Sequence, residues 1–164
     1  MLVVLSGLPG VGKTTIAREL VRATGAVYLR IDSIEQVLRH AGCQVEGEGY
    51  RVGYALAEDN LRLGRTVLAD CVNPWPLTRN EWRSVADRAG VHALDVEIVC
   101  SDAVEHRRRV ESRRADIAGH QLPTWSQVVE RDYRAWTGDR LVIDTAGQDV
   151  EQSVRTILAV VKES

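Results

Sequence analysis

The chain has 164 residues and a formal net charge of −2, and 45% of its residues are hydrophobic. This length suits one domain over residues 1–164 that buries most of its unfolded surface without disulfides, and the charge gives no overall attraction to nucleic acid. Its three cysteines and the lack of an apolar run near 18 residues argue against a disulfide framework and a membrane span, so we expect a cytoplasmic location.

The first predicted elements enclose a glycine-rich loop. Residues 1–6 resemble a short buried strand, and Thr14 to Ala23 resemble a helix that ends at Gly25. The eight residues from position 7 to 14 fit the pattern G-x-x-x-x-G-K-[ST]: Gly7, Leu8, Pro9, Gly10, Val11, Gly12, Lys13 and Thr14. The backbone N–H groups of such a loop face phosphates, so we expect the loop and the next residue, Thr15, to bind a nucleoside triphosphate. Lys13 would supply a positive charge, and the Thr14 hydroxyl a ligand to Mg²⁺.

Apolar runs alternate with helical patterns along the rest of the chain. The predicted strands are residues 2–5, 27–31, 66–69, 94–99 and 141–143. This alternation predicts an α/β protein with a parallel sheet that helices cover on both faces. Ligands of such sheets bind at the carboxyl ends of the strands, which directs attention to the residues that follow each run.

Asp32 follows the second predicted strand, across the expected cleft from the glycine-rich loop. A carboxylate in this position could accept the proton of a substrate hydroxyl as that oxygen attacks the γ-phosphate. Alternatively, Asp32 or Ser33 could cap the next helix, with Glu35 or Gln36 completing a capping box. The residues alone leave both interpretations open.

The third predicted strand ends at Asp70, which suits a carboxylate that orients Mg²⁺ or its waters. Asn73 begins a Pro-Trp-Pro turn three residues later and could either bind substrate or hold the turn. Trp75 lies between the two prolines and is a candidate for stacking on a substrate ring. The pair Thr14 and Asp70 is therefore the predicted magnesium site.

An arginine-rich run, from His106 to Arg114, follows the fourth predicted strand. Arg109 and Arg113 are four residues apart, so we expect them to share a helix face and to stabilise the charge of phosphoryl transfer. The apolar-poor stretch that follows, with one glycine, suits a mobile lid over about residues 107–123. The alternative interpretation is a solvated helix face.

Several local patterns give further predictions. Thr78 to Glu81 and Thr124 to Gln127 fit capping boxes, and residues 42–50 are predicted to form a mobile loop because they are rich in glycine. A stripe of apolar residues on the last helix is expected to face the core: Val150, Val154, Ile157, Leu158 and Val161. The spacing of Trp125, Val128, Val129, Tyr133 and Trp136 favours a second helical core stripe.

The chain resembles the P-loop small-molecule kinases of the AAA-type ATP-binding domains, a group that includes chloramphenicol phosphotransferase, gluconate kinase, adenylylsulfate kinase, polynucleotide kinases and zeta toxins. The resemblance extends over nearly the whole chain, through the glycine-rich loop and the segments 31–33, 70–73, 109–113 and 142–147, with Arg79 downstream of the third segment. It implies a three-layer α/β/α fold with the strand order 2-3-1-4-5. It also implies that Asp32 is a general base, that the lid arginines hold the adenine and phosphates, and that Gly147 lies in a loop that touches the adenine.

The sequence departs from the nucleoside monophosphate kinases of this group after the third strand. Cys71-Val72-Asn73 stands where those enzymes have glycines, which argues against a mononucleotide acceptor. We therefore expect an ATP- and Mg²⁺-dependent kinase of a small hydroxylated molecule, with Asp32, Asp70, Asn73, Trp75 and Arg79 on the acceptor side. Two alternatives remain: a kinase of a nucleic acid end or a nucleotide sugar, and a non-catalytic switch that ATP controls.

Overall fold

A computed structural model describes residues 1–163, which form five strands and seven helices. The strands are β1 (Leu2–Ser6), β2 (Val27–Arg30), β3 (Val67–Asp70), β4 (Ala93–Val99) and β5 (Leu141–Asp144). The helices are α1 (Lys13–Thr24), α2 (Ile31–His40), α3 (Glu48–Arg62), α4 (Pro76–Ala89), α5 (Ala103–Ser112), α6 (Trp125–Val129) and α7 (Val150–Glu163). Every predicted strand is present, with ends that differ from the prediction by one residue or less.

All neighbouring strands are parallel, and their order is β2-β3-β1-β4-β5. The register pairs Asp70 at the end of β3 with Leu5 of β1 on one side and with Arg30 of β2 on the other. The carboxyl ends of these three strands therefore lie level with one another. The predicted fold class and strand order are confirmed.

Two apolar cores lie on opposite faces of the sheet. One contains Ile16 and Leu20 of α1 and Ile157 of α7, and the predicted stripe of α7 packs against it. The other contains Trp82, which is fully buried, with Ala57 and other residues of α3 and α4. Helices on both faces explain why the strands are continuous apolar runs rather than alternating ones.

The first helix begins and ends as its sequence predicts. Gly25 adopts a left-handed conformation with φ of 68° and closes α1 by donating its N–H to the Val21 carbonyl. At the other end, Gly12 stands before the helix with φ of 101°, a conformation that residues with a Cβ rarely adopt. The loop therefore enters α1 in a geometry that only glycine accepts without strain.

Four local predictions are wrong. Residues 48–50 belong to α3 rather than to a loop, and Thr78 lies inside α4, where its hydroxyl donates to the Trp75 carbonyl instead of capping the helix. Helix α6 stops at Val129, so Tyr133 and Trp136 lie in irregular chain. Arg113 follows α5 in an extended conformation and so does not share a helix face with Arg109. The capping box of Thr124 and Gln127 is confirmed.

Candidate active site

A cleft of about 1310 Å³ opens at the carboxyl ends of β1, β2 and β3. It is bounded by the glycine-rich loop, α2, the turn after β3, the chain that follows α5 and the start of α7. Most of the predicted site residues line it: Pro9, Gly10, Gly12, Lys13, Thr14, Thr15, Asp32, Asp70, Trp75, Arg109 and Arg113. The sequence thus identified residues from four separate segments that folding brings to one cleft.

The glycine-rich loop is packed too closely for most other residues. A Cβ on Gly7 would lie 2.2 Å from the Ile98 carbonyl oxygen, and one on Gly10 would lie 2.5 Å from Cγ2 of Val110. The loop is also held from outside, because His106 Nε2 lies 2.8 Å from the Pro9 carbonyl oxygen. Gly7, Leu8 and Val11 shape the loop without lining the cleft themselves.

Lys13, the first residue of α1, is buried at the base of the cleft, and its ammonium donates to the Leu8 carbonyl at 2.8 Å. Burial lowers the pKa of Lys13, whereas the negative charges of Asp70 and Asp32 act in the opposite direction. The charge of Arg113 also lowers this pKa, which indicates that the lid arginine acts on the same part of the cleft. A buried ammonium held among these charges suits a phosphate ligand.

Thr14 and Asp70 form the predicted pair. The Thr14 hydroxyl donates to Asp70 Oδ2 at 2.8 Å, and the Tyr28 hydroxyl of β2 donates to the same oxygen at 2.8 Å. A hydroxyl and a carboxylate are the hard oxygen ligands that Mg²⁺ prefers, together with water and phosphate. Among residues 1–163, no group of three histidine, cysteine or acidic side chains could hold a metal ion unaided. The donor set therefore fits Mg²⁺ carried with nucleotide phosphates.

Asp32 lies in the first turn of α2, because the strand before it ends at Arg30 and the helix begins at Ile31. The helix is preceded by Arg30 as its N-cap, and no side chain caps it, so the capping interpretation of Asp32 and Ser33 is not supported. Its carboxylate lines the cleft and makes no hydrogen bond or ion pair to any residue from 1 to 163. Its charge nevertheless acts on Lys13 across the cleft.

The two lid arginines differ in their contacts. Arg109 donates to the Thr145 hydroxyl at 2.8 Å, to the Thr145 carbonyl at 2.9 Å and to Glu105 at 2.5 Å. The guanidinium of Arg113 lines the cleft and has no hydrogen bond or ion pair within the described part of the chain. Arg109 is therefore fixed beside β5, and of these two arginines Arg113 is the one whose guanidinium is available to a ligand.

Asp116 anchors the lid on the opposite side of the cleft. Its carboxylate accepts from Arg30 at 2.7 and 3.0 Å and from Arg18 of α1 at 2.6 Å. Hydrogen bonds from Arg30, with its positive charge, hold the pKa of Asp116 well below the usual range of a carboxyl group. A Cβ on Gly119 would lie 2.9 Å from Nε2 of His40, so the lid also packs closely on α2. The lid is closed.

Besides Gly7, Leu8 and Val11 of the loop, three other predicted residues do not line the cleft. Asn73 is fully buried, with φ of 52°, and its amide donates to the Ser6 hydroxyl at 3.0 Å. Arg79 is 3% exposed, and its guanidinium donates to four backbone carbonyls and stacks on Trp136 at 4.1 Å. Gly147 donates its N–H to Glu105 at 3.2 Å, whereas the residues just after it line the cleft.

Sequence reasoning missed Tyr28, Arg30 and Asp116. Tyr28 and Arg30 are alternate residues of one strand and so share a face of the sheet, a polar pattern that was visible in an otherwise apolar run. Asp116 is the acidic residue that follows the arginine run, but its partners lie 86 and 98 positions away in the sequence. No local pattern predicts contacts of that range.

A protein-family model described as an AAA domain matches residues 2–131. The chain belongs to this AAA domain family. No curated protein matches the sequence. None of the helices within residues 1–163 has the length and apolar character that crossing a membrane would require.

Several solved structures resemble this AAA domain over nearly the whole of both chains. The gluconokinase from Sinorhizobium meliloti 1021 has a TM-score of 0.67 at 19% identity, with 96% of this chain and 89% of that one covered. The APS kinase CysC from Mycobacterium tuberculosis, in complex with AMPPNP and APS, has a TM-score of 0.70 at 18% identity over 98% and 96% of the two chains. Kti12 from Chaetomium thermophilum, in complex with ADP-AlF3, has a TM-score of 0.69 at 19% identity over 97% and 98%. These likenesses establish the fold.

Proposed function

We propose that the protein is an ATP-dependent kinase that transfers the γ-phosphate to a hydroxyl group of a small molecule. The observation that carries this proposal is the Asp32 carboxylate, which lines the cleft without a partner among residues 1–163 while its charge acts on Lys13. A carboxylate kept free beside a phosphate-binding lysine suits proton abstraction from an acceptor. A nucleotide switch has no need of such a group.

The nucleotide would bind along the glycine-rich loop, with its triphosphate over the start of α1. Backbone N–H groups at Gly10, Gly12 and Thr15 would hold the phosphates, and the Lys13 ammonium would neutralise their charge. Mg²⁺ would be held through the Thr14 hydroxyl and, directly or through water, the Asp70 carboxylate. When bound, the metal neutralises the charge that develops on the phosphate oxygens. Neighbours that carry AMPPNP and ADP-AlF3 support a nucleotide in this fold.

The acceptor oxygen would attack the γ-phosphorus while the bond to the β,γ-bridging oxygen breaks and ADP leaves. Asp32 would take the proton of the acceptor hydroxyl, and Arg113 would stabilise the charge on the transferring group. Arg109 would contribute indirectly, because its contacts with Thr145 and Glu105 fix the wall beside the nucleotide. The closed lid would exclude water, which otherwise competes with the acceptor.

The acceptor half of the cleft favours a small polar molecule over a nucleic acid strand. Its wall carries both signs of charge, with Glu35, Glu46 and Arg39 alongside Tyr50 and the half-exposed ring of Trp75. A nucleic acid binder would need a continuous positive surface along the phosphate backbone. The gluconokinase and the sugar kinase among the similar structures support a hydroxylated metabolite as the acceptor. The three free cysteines suit an enzyme of the reducing cytoplasm.

The test is phosphoryl transfer from ATP to a panel of hydroxylated metabolites, followed by Asp32→Asn on the acceptor found. We expect kcat to fall by about 10²-fold or more, because asparagine cannot take the proton. The free energy of unfolding should change by less than about 1 kcal/mol, because Asp32 caps nothing. Asp87→Asn, on an exposed face of α4, is the matched control.

Two results would overturn the proposal. One is a wild-type rate in folded Asp32→Asn. The other is ATP binding that orders the lid with no acceptor phosphorylated in the panel, which would favour the switch. Faster transfer to oligonucleotide ends than to any metabolite would instead assign the enzyme to nucleic acid.

A further inference from the structure

The Asp70 carboxylate is held by two hydroxyl groups rather than one. Thr14 and Tyr28 both donate to Oδ2 at 2.8 Å, whereas Oδ1 accepts no hydrogen bond from residues 1–163. Oδ1 is not fully buried, and Asp70 lines the cleft, so this oxygen is accessible to a ligand there. The two oxygens of one carboxylate thus have different roles: one is saturated by the protein and the other is left open.

Tyr28 reaches Asp70 from the neighbouring strand. It pairs in register with Leu68, two residues before Asp70, so its side chain extends along the strand direction toward the cleft. The ring packs against the core between α1 and the sheet, which fixes its position. A phenol supported in this way delivers its hydroxyl to one point with little loss of side-chain entropy.

We propose that Tyr28 is a positioning residue for the metal site: its hydroxyl fixes the Asp70 carboxylate so that Oδ1 faces the Mg²⁺ ion or its water. The proposal rests on the proposed nucleotide chemistry of this cleft. With two donors on Oδ2, the carboxylate cannot rotate without breaking charge-assisted hydrogen bonds. Because the Thr14 hydroxyl donates its proton to Oδ2, the lone pairs of its oxygen stay free for the metal. Groups that orient metal ligands in this way typically alter metal affinity by 10–100-fold when they are removed.

The experiment measures ADP binding by calorimetry at a series of Mg²⁺ concentrations, in wild type and in Tyr28→Phe. The ring of phenylalanine retains the packing and removes only the hydroxyl. We expect the Mg²⁺ concentration that gives half of the metal-dependent gain in affinity to rise about tenfold. ADP affinity without metal should stay within about twofold of wild type, because the loop and Lys13 are unchanged.

Tyr54→Phe is the matched control. Its hydroxyl donates to the Thr78 carbonyl at 3.2 Å, outside the cleft, so its loss should leave the Mg²⁺ dependence of ADP binding unaltered. An unchanged Mg²⁺ dependence in Tyr28→Phe would overturn the proposal and assign the tyrosine to packing. An equal loss of ADP affinity with and without metal would also overturn it, because the hydroxyl would then act on the loop. So would a Tyr28→Phe variant that does not fold.

This experiment needs no acceptor, so its outcome is independent of whether Asp32 is a base. A protein that binds ADP with the expected Mg²⁺ dependence but transfers no phosphate would refute the kinase and leave the role of Tyr28 intact. Conversely, an active kinase whose Tyr28→Phe variant keeps its Mg²⁺ dependence would refute only the role of Tyr28.

Discussion

Arg30 and Asp116 form a bidentate ion pair, with Nη1 of the arginine 2.7 Å from Oδ2 and Nη2 3.0 Å from Oδ1. The arginine side chain is 5% exposed and the aspartate side chain 33% exposed, so the pair is largely shielded from water. It joins the end of β2 to the lid across the cleft. Planar two-pronged pairs of this kind are among the stronger polar contacts in proteins.

Removing the negative charge of Asp116 should release the lid. We expect Asp116→Asn to speed trypsin cleavage after Arg113 and Arg114 about tenfold, as the loss of a charge-assisted hydrogen bond implies. Glu111→Gln, which removes only an exposed ion pair with Arg107 next to the same sites, should cleave at the wild-type rate. Equal rates in all three proteins would show that this ion pair does not hold the lid.

The same ion pair should persist into mild acid. The pKa of Asp116 is lowered in the folded protein, so its contribution to stability is complete above the ordinary carboxyl pKa of about 4. That contribution is lost as the pH falls through the lower pKa of the folded state. Circular-dichroism melting should therefore show the stability difference between wild type and Asp116→Asn constant from pH 7 to about pH 5, and smaller below about pH 4.

Lys13 should cost the nucleotide-free protein stability. Burial lowers the pKa of Lys13, so the charged form is disfavoured by folding, and Lys13→Met should melt at the same temperature as wild type or higher despite losing the bond to Leu8. The thermal shift caused by ADP and Mg²⁺ should nearly vanish in this variant. Lys162→Met, on an exposed turn of α7, should keep that shift.

The pH dependence of the Lys13 effect has a definite sign. The folded state releases the lysine proton at a lower pH than the unfolded state does, so nucleotide-free wild type should gain stability relative to Lys13→Met as the pH rises from 7 toward 10. Urea denaturation at several pH values measures this difference. A difference that shrinks or stays constant with rising pH would contradict burial as the main influence on Lys13.

The two lid arginines should give different kinetic defects. Arg113→Ala should lower kcat by about 10²-fold or more and change ADP affinity little, because the unpaired guanidinium serves the transferring phosphate. Arg109→Ala should mainly weaken nucleotide binding, because it frees Thr145 and Glu105 beside β5. Arg108→Ala, on the exposed face of α5, is the control for loss of charge. Identical defects at 109 and 113 would refute this division.

We expect Arg79 to stabilise the fold rather than to bind substrate. Its guanidinium donates to the carbonyls of Asn73, Pro74, Arg134 and Ala135, so Arg79→Ala would remove four hydrogen bonds and the stacking on Trp136. We expect a loss of about 3 kcal/mol in the free energy of unfolding, measured in urea. Transfer per folded molecule should be unchanged; a raised KM for the acceptor at full stability would instead restore the substrate role that the sequence suggested.

The sheet and the glycine-rich loop could be predicted because each is encoded by residues that are contiguous in the sequence. A buried parallel strand is a continuous apolar run, and the loop is a contiguous motif, so neither depends on distant residues. The strand order came from a resemblance rather than from the residues. Asp32 and Asp70 were found because they follow strands, and strand ends converge in any parallel sheet.

The glycines of α3 show why other features could not be predicted. Gly49 suggested a loop, yet it lies with Gly53 in a helix that packs on α2. A Cβ at Gly49 would lie 2.3 Å from Cγ of Glu35, and one at Gly53 2.5 Å from Cδ1 of Ile31. Their function is close helix contact, and tertiary packing overrides their weak helix propensity. The lid pair of Arg30 and Asp116 escaped prediction for a similar reason, because only folding brings the two together.

The side chains that hold the glycine-rich loop from outside affect the rate and the affinity of ligand binding. His106 holds the Pro9 carbonyl, and the Thr145 hydroxyl donates to the Val11 carbonyl at 2.9 Å, so two peptide groups of the loop are oriented from behind. Their orientation is set when the chain folds rather than when a ligand arrives. A preorganised site loses little conformational entropy when a ligand binds. Its apparent affinity is not reduced by a population of conformers that cannot bind. Opening of the lid, and not rearrangement of the loop, should then limit the association rate constant.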